Sequence, residues 1–234
     1  MTTVDVVIPV YNEERVLTQS INTLRQFLEN NLAYNWTIII ADNASTDKTW
    51  QVAQALCRDY PDVVSLHLDE KGRGRALRRA WLDSTADIVS YMDVDLSTDL
   101  EAFPKLIQAI EEGYDIAIGS RLMPGASIKR SFKRELTSRG YNLLIKAMFR
   151  SKFSDAQCGF KALSNKASRE LVPLIKDQKW FFDTELLILA EKKGYRTKDV
   201  PVAWIEDPDS RVSVSRTAFD DVKGLLRLRF RPPS

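Results

Sequence analysis

The residues with the clearest capacity for chemistry are the two carboxylates of Tyr91-Met92-Asp93-Val94-Asp95, where an apolar run ends in two aspartates one residue apart. In an extended chain, residues i and i+2 project to the same side, so Asp93 and Asp95 can reach a single ion. Hard divalent cations favour such oxygen ligands, and magnesium commonly combines one or two carboxylates with substrate phosphates. An isolated Asp-x-Asp also reads as two solvated loop carboxylates, so its location in the fold decides its meaning. Cationic side chains stand in two comparable places, Lys71-Gly72-Arg73-Gly74 and Ser120-Arg121. Acidic groups at some loops and cations at others are the complement a metal and a phosphate group require.

These residues follow the elements that must position them. Val4 to Val10 is a β-rich run followed by a helical pattern through Val16, Leu17, Ile21, Leu24, Phe27 and Leu28. The alternation recurs: strand 36–41 and helix 48–58, strand 63–68 and helix 75–82, strand 88–92 and helix 100–112, then strand 116–119. Near-continuously apolar strands alternating with helices imply an α/β, Rossmann-like, mostly parallel sheet with helices on both faces. In such sheets ligands bind beyond the carboxyl ends of the strands. Those ends carry Tyr11 to Glu13, Asp42 and Asn43, Asp69 to Gly74, Asp93 to Asp95, and Ser120 with Arg121. Beyond Arg121 the alternation stops. A basic helix is expected over 131–150, a turn over 155–160, a helix over 183–193, a strand over 198–204, a loop over 204–210 and a basic amphipathic helix over 217–230.

Composition excludes several classes. A chain of 234 residues suits a single compact domain, and its ordinary charged and apolar fractions fit neither a disordered chain nor a disulfide scaffold. The net charge of +2 is uninformative, but cations cluster in 71–79, 129–150 and 223–231. Cys57 and Cys158 match no metal-ligand or redox spacing and read as free thiols in a reducing compartment. His67, the one histidine, falls on what reads as a buried strand and is expected to be structural, which removes most histidine-dependent mechanisms. An apolar strand starting within a few residues of Met1 leaves no room for a secretory signal, so a cytoplasmic protein is expected. The apolar runs are shorter than the roughly 20 residues that span a bilayer, making any membrane contact peripheral unless a longer form carries a C-terminal membrane segment.

The ordered set Pro9-Val10-Tyr11-Asn12-Glu13, Asp42-Asn43-Ala44-Ser45-Thr46-Asp47, Lys71-Gly72-Arg73-Gly74, Asp93-Val94-Asp95 and Gly119-Ser120-Arg121 resembles the family 2 glycosyltransferases of GT-A fold. Asp155-Ala156-Gln157-Cys158-Gly159-Phe160-Lys161 and Trp180-Phe181-Phe182-Asp183-Thr184-Glu185 narrow the resemblance to dolichyl-phosphate β-glucosyltransferases, with polyprenyl-phosphate mannose synthases as close cousins. The resemblance implies one catalytic domain over 1–234, with a nucleotide-sugar half, 1–121, and an acceptor half, 122–234. It implies that Pro9, Tyr11, Glu13 and Asp42 hold the nucleoside, and that Lys71 and Arg73 face the diphosphate. Asp93 and Asp95 would hold Mg2+ or Mn2+. The family often has lysine where Arg73 stands. By the same resemblance Arg121, Arg134, Ser138 and Gln157 hold the phosphate of a lipid acceptor, Asp155 stands beside the sugar, and Asp183 falls where the wider family often has an acidic catalytic residue. Each position also has a plainer reading as a turn, a cap or a solvated charge.

The cationic excess of 121–150 calls for an anionic partner or ample solvent. Nucleic acid is one candidate, but Leu136, Leu143, Leu144, Ile145 and Met148 interleave at helical spacing, which suits an anionic lipid surface and argues against nucleic acid. The expected activity is inverting transfer of a hexose, with UDP-glucose as the first donor, to a polyprenyl phosphate. GDP-mannose as donor, a nucleotidyltransferase reaction and a catalytically idle binding module remain as alternatives. Cys158 and the 180–182 aromatics read as packing residues.

Overall fold

The computed structural model describes residues 2–129, 132–205 and 214–231, with the side chains of 129, 132–134 and 214–218 outside that description. The first half is built of β1 (Thr3–Val10), α1 (Leu17–Asn31), β2 (Asn35–Asn43), α2 (Thr49–Asp59), β3 (Val63–Leu68) and α3 (Arg73–Asp83). It continues through β4 (Ile88–Met92), α4 (Phe103–Glu111) and β5 (Ile116–Ser120). The second half adds β6 (Ser127–Lys129), α5 (Phe132–Phe149), β7 (Phe160–Ser164), α6 (Asn165–Leu171), α7 (Phe182–Lys192), β8 (Thr197–Pro201), β9 (Ala203–Ile205) and α8 (Val214–Phe230).

The main sheet has seven strands in the order β3-β2-β1-β4-β7-β5-β8, and β6 pairs with β9 in a small second sheet. Every described pairing in the main sheet is parallel except those of β7, which runs antiparallel to both β4 and β5. The α/β expectation holds, with cores on both faces. Val4, Val6, Ile8 and Val10 of β1 pack with Leu17, Ile21, Leu24 and Leu28 of α1, whose spacing lines one helical face. Val7 points the other way, into a core with α3, α6 and α7.

β7 corrects the sequence reading, which left 161–182 unassigned and 160 in a turn. A lysine interrupts its apolar pattern, and Lys161 is fully buried because it meets a carboxylate from α7. His67 needs correction as well: β3 is the sheet edge, and the imidazole is 36% exposed. The strand expected over 198–204 is two, β8 and β9, so 203–205 belongs to the small sheet, and 206–210 lies outside the described residues.

The chain winds from β1 outward to β3 and then returns to place β4 on the other side of β1. Parallel neighbours with connections leaving in opposite directions splay at their carboxyl ends and open a crevice there. The register Val7↔Tyr91 sets the loop after β1 beside Asp93.

Candidate active site

Non-glycine residues with left-handed backbone follow three of the strands at this rim: Asn12 (φ 58°) after β1, Ala44 (φ 60°) after β2 and Leu96 (φ 49°) after β4. That conformation is uncommon for residues with a Cβ and persists where surrounding structure enforces it. In the loops after β1 and β2 cross-loop hydrogen bonds do so. Asn12 N–H donates to Ser45 Oγ at 2.9 Å, Glu13 N–H to Thr49 Oγ1 at 2.7 Å, and Thr46 N–H to Asn12 Oδ1 at 2.8 Å. The two loops are therefore knitted into one wall carrying Pro9, Tyr11 and Glu13. Lys71 Nζ lies 3.3 Å from the centre of the Tyr11 ring, which joins the loop after β3 to that wall.

Asp42 is completely buried at the end of β2. Its Oδ1 accepts from the Ser45 N–H at 3.2 Å, and its Oδ2 lies 2.7 Å from His67 Nδ1. His67 in turn stacks near Trp50, with ring centres 5.0 Å apart. The histidine expected to be merely structural thus fixes a carboxylate at the rim.

The glycines of Lys71-Gly72-Arg73-Gly74 serve close packing inside the protein. A Cβ at Gly72 would lie 2.5 Å from the Gln178 carbonyl oxygen, and one at Gly74 would lie 2.6 Å from Phe182 Cβ. Those approaches seat the start of α3 against the chain leading into α7. The Gly72 N–H also donates to Asn43 Oδ1 at 2.5 Å.

Arg73 is the hub that results. Its Nη1 donates to Asp183 Oδ2 at 2.6 Å and its Nη2 to Asp93 Oδ1 at 2.9 Å. Its guanidinium carbon lies 4.8 Å from the Tyr91 ring centre and 4.9 Å from that of Trp180. Burial alone would lower the Arg73 pKa, but the surrounding Tyr91, Asp93 and Asp183 raise it well above the ordinary value. Asp183, at the first turn of α7, accepts from Lys161 Nζ at 2.9 Å and from the Tyr91 hydroxyl. Lys161 completes its shell by donating to the Cys158 carbonyl at 2.6 Å and to Tyr91 Oη at 3.2 Å. Burial pushes the Asp183 pKa up, but Lys161, Arg73 and the Tyr91 hydroxyl outweigh it and hold the carboxyl below its usual range. Tyr91 and Lys161 escaped the sequence reading; the one signal was a lone charge in an otherwise apolar run.

Asp93 and Asp95 stand at the end of β4, the first with its side chain 45% exposed and the second exposed. Asp95 Oδ1 accepts from the Ser97 N–H at 3.0 Å. A Cβ at Gly159 would fall 1.8 Å from Asp93 Oδ2, so the Asp93 carboxylate fills a hollow left only by glycine. Among the described residues no cluster of three or more acidic, histidine or cysteine side chains forms a closed cation cage. Two accessible carboxylates without such a cage fit a hard cation whose remaining ligands are substrate phosphates and water.

On the far side of β7, Arg121 makes a two-pronged pair with fully buried Asp155, Nε to Oδ2 at 2.7 Å and Nη2 to Oδ1 at 3.0 Å. Its guanidinium also lies 5.5 Å from the Trp204 ring centre. Burial would raise the Asp155 pKa, but Arg121 holds it below the usual range. Gln157 donates from Nε2 to Asp221 Oδ2 of α8 at 2.7 Å. Ser138 is buried, and its hydroxyl has no partner among the described residues. The side chain of Arg134 lies outside the described residues. Burial pushes the Cys158 thiol up to about 12, in keeping with a packed, unreactive residue. Phe181 and Phe182 are core residues, whereas Trp180 is partly exposed beside Arg73.

This arrangement coincides with a sequence match: residues 5–172 fit the model of glycosyl transferase family 2. The chain belongs to that family. Among relatives, the glycosyltransferase AglD of Haloferax volcanii is 37% identical over 227 residues, covering 96% of this chain and 36% of that protein. A dolichyl-phosphate beta-glucosyltransferase of Saccharomyces cerevisiae is 29% identical, covering 96% of this chain and 73% of its own length. A dolichol-phosphate mannosyltransferase of Pyrococcus furiosus is 31% identical, with coverages of 96% and 63%. This family member thus spans about a third of the first relative, under two thirds of the Pyrococcus protein and just under three quarters of the yeast protein. The same fold occurs in glucosyl-3-phosphoglycerate synthase from Mycobacterium tuberculosis, solved with Mn2+, UDP and phosphoglyceric acid. That structure aligns at a TM-score of 0.72 and 20% identity, covering all of this chain and 80% of the other.

Proposed function

We propose that this chain is the catalytic domain of an inverting hexosyltransferase that moves a sugar, glucose from UDP-glucose foremost, onto a polyprenyl phosphate at the cytoplasmic face of a membrane. The observation that carries this reading is the pair Asp93 and Asp95 at the β1/β4 crevice, with Arg73 bonded to one and the loop of Lys71 beside it. Relatives named for transfer to dolichyl phosphate support the acceptor class.

In this reading the wall of Pro9, Tyr11, Glu13 and Asp42 receives the nucleoside, while Lys71 and Arg73 meet the diphosphate. A magnesium or manganese ion on Asp93 and Asp95 would neutralise charge on the departing diphosphate. An oxygen of the lipid phosphate attacks the anomeric carbon, the bond from that carbon to the diphosphate oxygen breaks, and nucleoside diphosphate leaves. A phosphomonoester loses its second proton near about pH 6, so the attacking oxygen is anionic without a protein base. Asp183 then acts as a positioning residue, holding Arg73, which holds Asp93. Arg121, at the end of the nucleotide-sugar half, joins Arg134 and Ser138 of the acceptor half, 122–234, at the lipid phosphate; the Ser138 hydroxyl has no partner among the described residues. Work of this kind is alignment and charge stabilisation.

The deciding experiment is a donor screen with a short-chain polyprenyl phosphate and manganese, reading both the glycolipid and the released nucleotide. UDP with glucosyl lipid is the expected result. GDP with mannosyl lipid would favour the second reading, which the Pyrococcus relative supports. Pyrophosphate release from a nucleoside triphosphate would replace glycosyl transfer with nucleotidyl transfer, and donor binding without turnover on any lipid phosphate would leave a binding module.

A further inference from the structure

Asp221 projects from α8 and is 2% exposed. The Gln157 amide occupies its Oδ2, and its Oδ1 is buried with no hydrogen-bond partner among the described residues. The charges around it are mainly acidic. Asp177 precedes α7, Asp183 opens α7, Asp220 is its neighbour on α8, and Tyr141 of α5, bonded to Thr184, lies within its field. Burial, then Asp177, push the Asp221 carboxyl up to about 7 against the lowering effect of Gln157. Such a residue costs stability, so its retention in a packed helix interface calls for an explanation in the site.

Gln157 supplies one. It lies two residues after Asp155, which grips Arg121, and two before Gly159, which abuts Asp93. An ionised carboxylate only accepts hydrogen bonds, so its partner amide must offer the NH2 group. Among the described residues no donor reaches Gln157 Oε1. A partly exposed glutamine with its NH2 committed presents an acceptor, and an acceptor matches a hydroxyl and opposes a phosphate oxygen.

We infer that Asp221 and Gln157 form a hydroxyl-reading pair, in which Asp221 sets the Gln157 carboxamide so that its oxygen accepts from a hydroxyl of the transferred sugar. Asp221 is the positioning residue and Gln157 the specificity residue. This assignment moves Gln157 from the acceptor phosphate, where the family resemblance put it, to the donor sugar. It rests on the nucleotide-sugar reading above.

Calorimetric titration of the whole chain with manganese, about one pH unit above the Asp221 value, tests it. UDP and UDP-glucose, and GDP and GDP-mannose, are compared for the unmodified protein and for D221A, D221N and Q157A. In the pair that binds, D221A and Q157A are expected to weaken the sugar nucleotide on the order of tenfold while leaving the bare diphosphate unchanged. D221N, whose amide oxygen accepts the same hydrogen bond, is expected to retain the affinity. A merely structural role would shift both ligands together. The inference is overturned if the ratio of the two affinities is the same in Q157A as in the unmodified protein. It is equally overturned if the loss appears in binding of a short-chain polyprenyl phosphate instead. Should the unmodified protein bind none of the four nucleotides, the nucleotide-sugar reading fails first and takes the inference with it.

Discussion

Asp183 sits among Arg73, Lys161 and Tyr91, every one of them buried, so its removal leaves Lys161 without its counter-charge and Arg73 with Asp93 alone. Breaking one side of such a buried pair costs roughly 3–5 kcal/mol. Asp183→Ala should therefore lower the unfolding free energy by about that amount in denaturant titration, and activity should fall both with the folded population and through the loosened Arg73–Asp93 contact. A catalytic base would instead lose turnover with little loss of stability. The sign of the pH effect follows from the lowered pKa: the native state gains from ionised Asp183 above the ordinary carboxylate range and loses that gain as the solution is acidified below it. Gly159→Ala separates metal binding from folding. The added methyl would overlap Asp93 Oδ2 at 1.8 Å, in a loop where the half-exposed carboxylate can swing aside. Manganese-dependent UDP binding should drop at least tenfold while the thermal midpoint changes little, and unchanged binding would remove Asp93 from the cation site.

Among the elements, α8 was legible as a helix, expected over 217–230 and found over Val214–Phe230, whereas β7 and the buried polar contact of α8 were not, for related reasons. β1 to β5 announce themselves because both faces of a parallel sheet demand apolar residues, and the rule for strand ends then points to Asp42, Arg73, Asp93 and Arg121 without further information. β7 carries Lys161 at its centre, and only the fold brings Asp183 from 22 residues away to satisfy it. Asp221 looks like one more solvated charge on a polar helix, yet 64 residues upstream lies the Gln157 that meets it. Long-range pairing of polar groups leaves no local period to read. A measurable consequence follows for α8. Because the folded state raises the Asp221 pKa, it favours the protonated form, and stability declines as pH climbs from the carboxylate range through about 7. Asp221→Asn should remove that decline, raising the thermal midpoint at alkaline pH by a few degrees and by less in mild acid. An equal gain at both would mean that the residue does not titrate in this range.

At the scale of the whole molecule, no described helix is long and apolar enough to cross a membrane, and in the proposed reading contact with a lipid comes from exposed features of the described surface. α5 and α8 pack together and both expose large apolar side chains. Leu136 and Leu143 are 62% and 68% exposed on α5, and Phe219 and Phe230 are 73% and 76% exposed on α8. Lys223 and Arg229 are exposed on the same helix as the phenylalanines. Transferring a side chain of this size out of water is worth about 1.5–3 kcal/mol, and each cation near an anionic surface contributes about 1 kcal/mol. Replacing Leu143 and Phe230 together with serine should therefore weaken sedimentation with anionic phospholipid vesicles by at least about tenfold. These side chains are exposed and make none of the hydrogen bonds of Asp93 or Gln157, so turnover of a short, soluble polyprenyl phosphate should be preserved. The salt dependence separates the two contributions: added salt screens the cations and leaves the apolar term in place. A double variant that still binds vesicles as tightly as the parent, at low and high salt alike, would take the membrane face away from α5 and α8.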